Sequence, residues 1–384
     1  MLRENRAFME ILGAAITGSK LQETASYTPE CLQQLGAKAA AHHVLPLFYE
    51  AVCTLPQKDC LAQAAPMVRQ QVMGQALRTR HLIELYKQLE AENLRPLVVK
   101  GYICRKLYAL EDHRPSSDED LLIGGEDFLR CCHILETLGY ETTDPEDRFE
   151  RTYRNPKTGL CLELHRYLFD PDAGAYGSWN KFFENAEANA AMCHGLPTLC
   201  PTEHMLYLLL HAFKHFLHSG FGVRQVCDIV LFGNAYSGSI QWDWVQECLA
   251  GLRADRFAAA IFALGEKYWG IPAPFHRDTD PEPLLADLLE AGVYGGSSVP
   301  RKRSSNMTLS AAAGQKSGHG LRALFPPRSS LTGRFPYLKK QPWLLPWAWL
   351  CRILTYKNNR DSATALQIGK QRLALLKLYG ITEA

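Results

Sequence analysis

Four things are missing from this 384-residue chain: an apolar run long enough to cross a bilayer, a CxxC pair, a glycine-rich phosphate loop and the HRD-x4-N stretch of a kinase catalytic loop, since His276-Arg277-Asp278 is followed by Pro283 where the asparagine would stand. A membrane-spanning helix takes about 20 mostly apolar residues. The nearest candidate, residues 343–354, is interrupted by Pro346 and Arg352. The opening stretch MLRENRAFMEILGAAITG contains acids and too short an apolar run for a signal peptide. The 12 cysteines form no framework, and many fall in apolar helical patterns, which points to reduced thiols and a cytoplasmic chain. Without the glycine loop and the full HRD-x4-N stretch, a kinase-like phosphotransferase is a poor fit. No repeat of fixed period is present, so a solenoid is not expected.

Acidic residues are also unevenly absent. Residues 300–360 hold 12 Lys or Arg and no Asp or Glu, whereas residues 1–299 hold 27 basic and 38 acidic residues. A basic strip on an otherwise acidic chain implies an anionic partner, such as a nucleoside triphosphate, RNA or another polyanion. The competing reading for residues 295–320, rich in Ser, Gly, Ala and Lys, is a solvated flexible loop. Residues 322–352 carry Phe325, Phe335, Tyr337, Trp343, Trp347 and Trp349. That density predicts an ordered segment burying its aromatic faces against the body of the protein.

What the chain does have is a concentration of carboxylates in strand-like sequence. Asp118 and Asp120 are two residues apart just before an apolar run, so in an extended strand they project from one face. Paired carboxylates repel unless a cation lies between them, and a hard divalent ion is the usual answer. A third acid lies in the alternating segment Leu160-Cys161-Leu162-Glu163-Leu164-His165, where Glu163 faces away from three leucines. Asn155-Pro156-Lys157-Thr158-Gly159 reads as a turn that joins this strand to an earlier polar one and lays Glu163 beside Asp118 and Asp120.

In order along the chain stand Leu97-Val98-Val99-Lys100-Gly101, Tyr108, Arg114, Asp118-Glu119-Asp120-Leu121-Leu122-Ile123 and Glu163-Leu164-His165. These are followed by His211-Ala212-Phe213-Lys214-His215, Arg224 to Asp228, Leu324-Phe325-Pro326-Pro327 and Leu344-Leu345-Pro346. The ordered set resembles the nucleotidyltransferases of the DNA polymerase beta superfamily and, within it, the bacterial group of uncharacterised nucleotidyltransferases. The resemblance covers roughly residues 95–350. It departs from the superfamily in two places. Glu119 stands where an apolar residue is usual, sending a charge toward the other face of the sheet, where burial is costly without a partner. Lys100-Gly101 replaces the superfamily's Gly-Ser, as in this subgroup.

The fold class expected is α+β, with a small mixed β-sheet nucleotidyltransferase core, flanking helices, and helical regions before and after. The expected division is an N-terminal helical region at 1–94, the core at 95–190, a helical domain at 191–294, a flexible basic loop at 295–320, and a basic, aromatic segment with a helix at 321–384. Helical spacing places a helix at 67–94 and later ones at 202–218, 222–235, 241–251, 254–269, 281–291 and 361–379.

The resemblance implies metal-dependent transfer of a nucleoside monophosphate from an NTP to an acceptor hydroxyl, with Mg²⁺ or Mn²⁺ held by Asp118, Asp120 and Glu163. Lys100, Gly101 and Arg114 are expected at the phosphates, with His165, His211 and His215 lining the substrate side. His211 and His215 lie one helical turn apart, but the HExxH glutamate and a cysteine in register are missing, which weakens a zinc site. Arg224 and Asp228 read as an ordinary one-turn helix pair. The acceptor stays open among RNA, a protein hydroxyl and a small molecule. The rival reading is a non-catalytic binding module, favoured by Glu119 if its charge distorts the carboxylate strand.

Overall fold

The computed structural model describes residues 2–21, 27–144, 147, 149–218, 220–291, 307–309, 311–312, 328–331, 335–339, 341–357 and 360–382. Most of the expected 295–320 loop, the Leu324-Phe325-Pro326-Pro327 block and seven cations of the basic strip lie outside the described residues.

Five strands form the main sheet: β1 (Leu97–Val99), β2 (Glu119–Leu122), β3 (Glu141–Thr142), β4 (Glu150–Arg154) and β5 (Cys161–His165), in the spatial order β1-β2-β5-β4-β3. Only the β2–β5 pair is parallel, so the sheet is mixed. β1 is a run of three buried apolar residues. β5 alternates, with Leu162 and Leu164 fully buried on one face and Glu163 half-buried on the other. The β4–β5 turn forms as its sequence predicts. Asn155 Oδ1 accepts the amides of Lys157 and Thr158 at 2.9 and 3.1 Å, and Gly159 supplies a φ of +71°.

Helices surround this sheet: α1 (Leu2–Thr17), α2 (Pro29–Ala41), α3 (Leu45–Val52), α4 (Ala65–Ala91), α5 (Gly101–Arg105), α6 (Asp127–Thr137), α7 (Pro201–His218), α8 (Val223–Ala235), α9 (Trp242–Gly251), α10 (Asp255–Trp269) and α11 (Glu282–Ala291). The later helices match the spacing-based expectation to within a residue or so at each end. A small hairpin, β6 (Ala191–Cys193) and β7 (Leu196–Thr198), was not anticipated. Its signal was His194-Gly195, whose positive φ values of 48° and 84° make the two-residue turn that hairpins favour.

One contiguous apolar core links α1 (Phe8, Ile11), the sheet (Val98, Leu121, Leu162), α7 and α10. The final helix, α12 (Arg360–Leu378), ends at the same core through Leu376 and Tyr379. Arg372 on α12 is buried, and its guanidinium donates to His218 O at 2.6 Å and to Phe216 O. A cation thereby satisfies the last carbonyls of α7, where the helix dipole is negative.

The aromatic segment departs from expectation. Leu331, Leu338 and Ala348 form a second small cluster with Phe335, Tyr337 and Trp349, while Trp343 and Trp347 stay 70% and 57% exposed. From the helix that carries Trp347 it is Ala348 that faces the cluster.

Candidate active site

Strand register brings the carboxylates together. Asp120 pairs directly with Glu163 across the parallel β2–β5 ladder, and Asp118 precedes β2 on the same face. Beside them, Glu150 of β4 is paired with His165 of β5. α7 forms the opposite wall of a cleft of about 260 Å³, contributing Tyr207, His211, Lys214 and His215. Lys100, Gly101, Arg114, Asp118, Asp120, Glu163 and His165 line the same cleft, so every anticipated site residue falls at one place.

The electrostatics follow from this crowding. Burial and the neighbouring Asp120 and Glu163 push the Asp118 carboxyl up to about 6. Burial would also raise Asp120, yet Lys100 Nζ at 2.7 Å and His165 Nε2 at 3.2 Å hold it well below the usual carboxylate range. His165 is the converse case. Burial disfavours its charge, but contact with Asp120, with Glu150 at 3.3 Å and with Glu163 at 3.7 Å raises it well above an ordinary histidine.

On α7 the shifts run the other way. Burial and the Lys100 cation lower His211 well below its usual value, and burial with Lys214 lowers His215 to about 3. A neutral His211 presents Nε2 to the Lys100 ammonium at 3.1 Å. Burial and Lys100 also depress Lys214. The cleft thus has an anionic floor on the sheet and a wall of amine and neutral imidazole.

Lys100 occupies a turn with φ +53°, and its amide donates to His204 Nε2 at 3.3 Å. His204 is fully buried, which lowers it to about 3. With Nε2 accepting, its proton sits on Nδ1, 3.2 Å from Thr198 Oγ1 of β7. Arg114 is buried in a two-pronged pair with Asp228, at 2.7 and 2.6 Å, and Tyr108 donates to the same carboxylate at 2.8 Å. Asp228 therefore ties α8 to the loop before β2 rather than pairing with Arg224, which donates to Pro115 O. This corrects the helix-pair reading. It also leaves Arg114 with Nη1 alone turned to Gly101 O at 3.5 Å.

Glu119 does not distort its strand. The carboxylate is fully buried, 2.7 Å from Arg105 Nη1, and accepts the Tyr102 amide at 2.9 Å. The cost anticipated for an unpartnered charge does not arise.

Among the described residues, one group of three potential ligands lies within 4.8 Å: Asp120, Glu163 and His165. Two carboxylate oxygens and an imidazole nitrogen, the imidazole backed by a further carboxylate on its other nitrogen, fit a divalent cation. His165 stands in this group where Asp118 was expected. The model of the uncharacterised nucleotidyltransferase family matches residues 30–270.

The chain belongs to the uncharacterised nucleotidyltransferase family. No curated protein and no solved structure matches it. In this family member, sequence reasoning missed Glu150 and Tyr207. Tyr207 and His211 are one turn apart on α7, so helical spacing carried the signal for the tyrosine. Glu150 could be found only through the β4–β5 register. No helix among the described residues is long and apolar enough to cross a membrane.

Proposed function

We propose that the protein is a divalent-metal-dependent nucleotidyltransferase, moving a nucleoside monophosphate from an NTP to an acceptor hydroxyl with release of pyrophosphate. The observation that carries this reading is the direct pairing of Asp120 with Glu163, with Asp118, Lys100 and Lys214 lining the same cleft. A wider placement belongs to the same proposal: a bacterial, cytoplasmic member of the DNA polymerase beta-like superfamily with its core at 95–190 and a helical domain at 191–294. The ordered motif blocks and the family match support it.

Asp120, Glu163 and His165, with Asp118 beside them, are the residues that would hold the ion. Mg²⁺ or Mn²⁺ bound there supplies Lewis-acid neutralisation of triphosphate charge. Lys100 and Lys214 attract and orient the phosphates, and Gly101 lines the cleft beside them. Arg114 fixes the wall through Asp228. His211 and His215, neutral by burial, line the substrate side as hydrogen-bonding groups without repelling Lys100. An acceptor oxygen attacks the α-phosphorus, the bond from that phosphorus to the bridging oxygen of the β-phosphate breaks, and pyrophosphate leaves. A Glu163 carboxylate oxygen takes the acceptor's proton. The acceptor is a hydroxyl of RNA, protein or a small molecule, and the basic strip at 300–360 favours a polyanion.

The rival binding-module reading drew its support from a misplaced Glu119 charge, and the contacts of Glu119 with Arg105 and Tyr102 remove that support. The deciding experiment incubates the protein with each α-labelled NTP, Mg²⁺ or Mn²⁺, and cellular RNA and protein. Label transfer that disappears in Asp118→Ala/Asp120→Ala supports the transferase, and identical labelling in the variant refutes it.

A further inference from the structure

Glu119 lies between two cleft carboxylates in sequence, but its side chain reaches the opposite face of β2. Oε2 accepts the Tyr102 amide at 2.9 Å in the first turn of α5. Oε1 lies 2.7 Å from Arg105 Nη1 and accepts the Ser116 hydroxyl at 3.1 Å. Beneath them Gln75 Oε1 on α4 accepts the Ser116 amide at 2.8 Å and Arg78 Nη2 at 3.2 Å. One carboxylate therefore ties the start of α5, the loop before β2, and β2 itself to the long helix α4.

The neighbouring turn explains why this matters. Lys100 has φ +53° and ψ −114°, a conformation that non-glycine residues hold only when the surroundings enforce it. Gly101 follows, and a Cβ there would lie 2.2 Å from Glu119 Oε2. The glycine lets the carboxylate reach the Tyr102 amide, and that bond fixes the far end of the turn while His204 holds the near end through the Lys100 amide. Held this way, Lys100 delivers Nζ to 2.7 Å from Asp120.

We infer that Glu119 is a positioning residue that clamps the Lys100-Gly101 turn and so couples the Lys100 ammonium to the carboxylates of β2. For its catalytic consequence the inference rests on the transferase reading. For its structural consequence it does not. An apolar residue at 119 leaves the Tyr102 amide and the Arg105 guanidinium without this acceptor, and leaves Asp120 to hold Lys100 through its side chain alone.

The test separates clamping from general stability. Replacing both members of a buried ion pair by apolar groups restores much of the stability lost when only one is removed, so Arg105→Met/Glu119→Leu is compared with Glu119→Leu and Glu119→Gln. Lysine acylation by acetic anhydride, read peptide by peptide by mass spectrometry, reports release of Lys100 with no nucleotide present. In the paired variant Lys100 acylation rises about tenfold, as expected for loss of local protection, although the thermal midpoint recovers toward wild type. Glu119→Gln keeps an acceptor for the Tyr102 amide and leaves Lys100 protected to within about threefold, although stability falls. A paired variant that regains stability and keeps Lys100 protected overturns the clamp, as does Glu119→Gln exposing Lys100 as fully as leucine does. Nucleotide transfer run in parallel is expected to fall with Lys100 release. If the wild type itself transfers no nucleotide, the transferase reading fails while the acylation result still decides the clamp.

Discussion

Asp120 and Glu163 are direct neighbours across the one parallel pair of a five-stranded sheet. Parallel pairing sets both side chains on the same face at the same level, so two acids more than forty residues apart in sequence meet at one end of the cleft. Lys100 and His165 offset that charge from within the protein, while Asp118 and Glu150 bring two further carboxylates to the same cleft.

Removing either acid is expected to abolish that balance. Asp120→Asn or Glu163→Gln lowers nucleotide transfer by about 10³-fold or more, because charge stabilisation worth several kcal/mol is lost. Chelation does the same to the wild type and is reversed by Mg²⁺ or Mn²⁺. Titration calorimetry with the metal alone checks the binding step, and an unchanged metal affinity in both variants would remove these residues from the ligand set.

The Arg114–Asp228 pair is buried on both sides, 4% exposed each. Removing one partner strands the other, and Asp228→Asn or Arg114→Met is expected to cost about 3–5 kcal/mol. Arg114→Lys also loses stability, since an ammonium cannot make the two-pronged contact. Urea denaturation gives the values. A loss under 1 kcal/mol in either variant would show that the pair does not anchor α8.

His204 predicts a pH dependence. Its folded value of about 3 lies below the ordinary 6.5, so between these values the unfolded chain binds the extra proton. The contribution of His204 to stability therefore falls as the pH falls from 6.5 toward 3, by about 1.4 kcal/mol per pH unit. His204→Gln removes that slope. Comparing wild type with variant by denaturation at several pH values isolates this one group from the other titrating residues. Parallel curves for the two proteins would mean that His204 titrates normally.

Arg372 offers a separate check on the C-terminal helix. Arg372→Met withdraws a charged donor from two terminal carbonyls of α7 and is expected to cost about 1.5–3 kcal/mol. Amide exchange in the last turn of α7 is expected to quicken first. Unchanged exchange there would place α12 outside the support of the site.

Much of this site is written in the sequence because strand alternation is a local property. Asp118 with Asp120, the leucines flanking Glu163, and the Asn-Pro-Lys-Thr-Gly turn each announce their geometry within a few residues. The 3.6-residue period did the same for α7 to α11. By contrast, the short β6–β7 hairpin rests on a His-Gly pair, a small signal beside the helices around it.

The sequence by itself determined which acids and histidines share a strand or helix face, because side-chain direction follows from backbone period. Tertiary structure alone decided their partners. The sequence leaves Glu119 as an unpaired charge, Asp228 as a helix partner of Arg224, and Glu150 with no role. The fold gives Glu119 to Arg105 and Tyr102, Asp228 to Arg114, and Glu150 to His165. Each of those pairings joins separate elements, and the energy of a buried charge depends on what the chain brings to it from a distance, which no local pattern encodes.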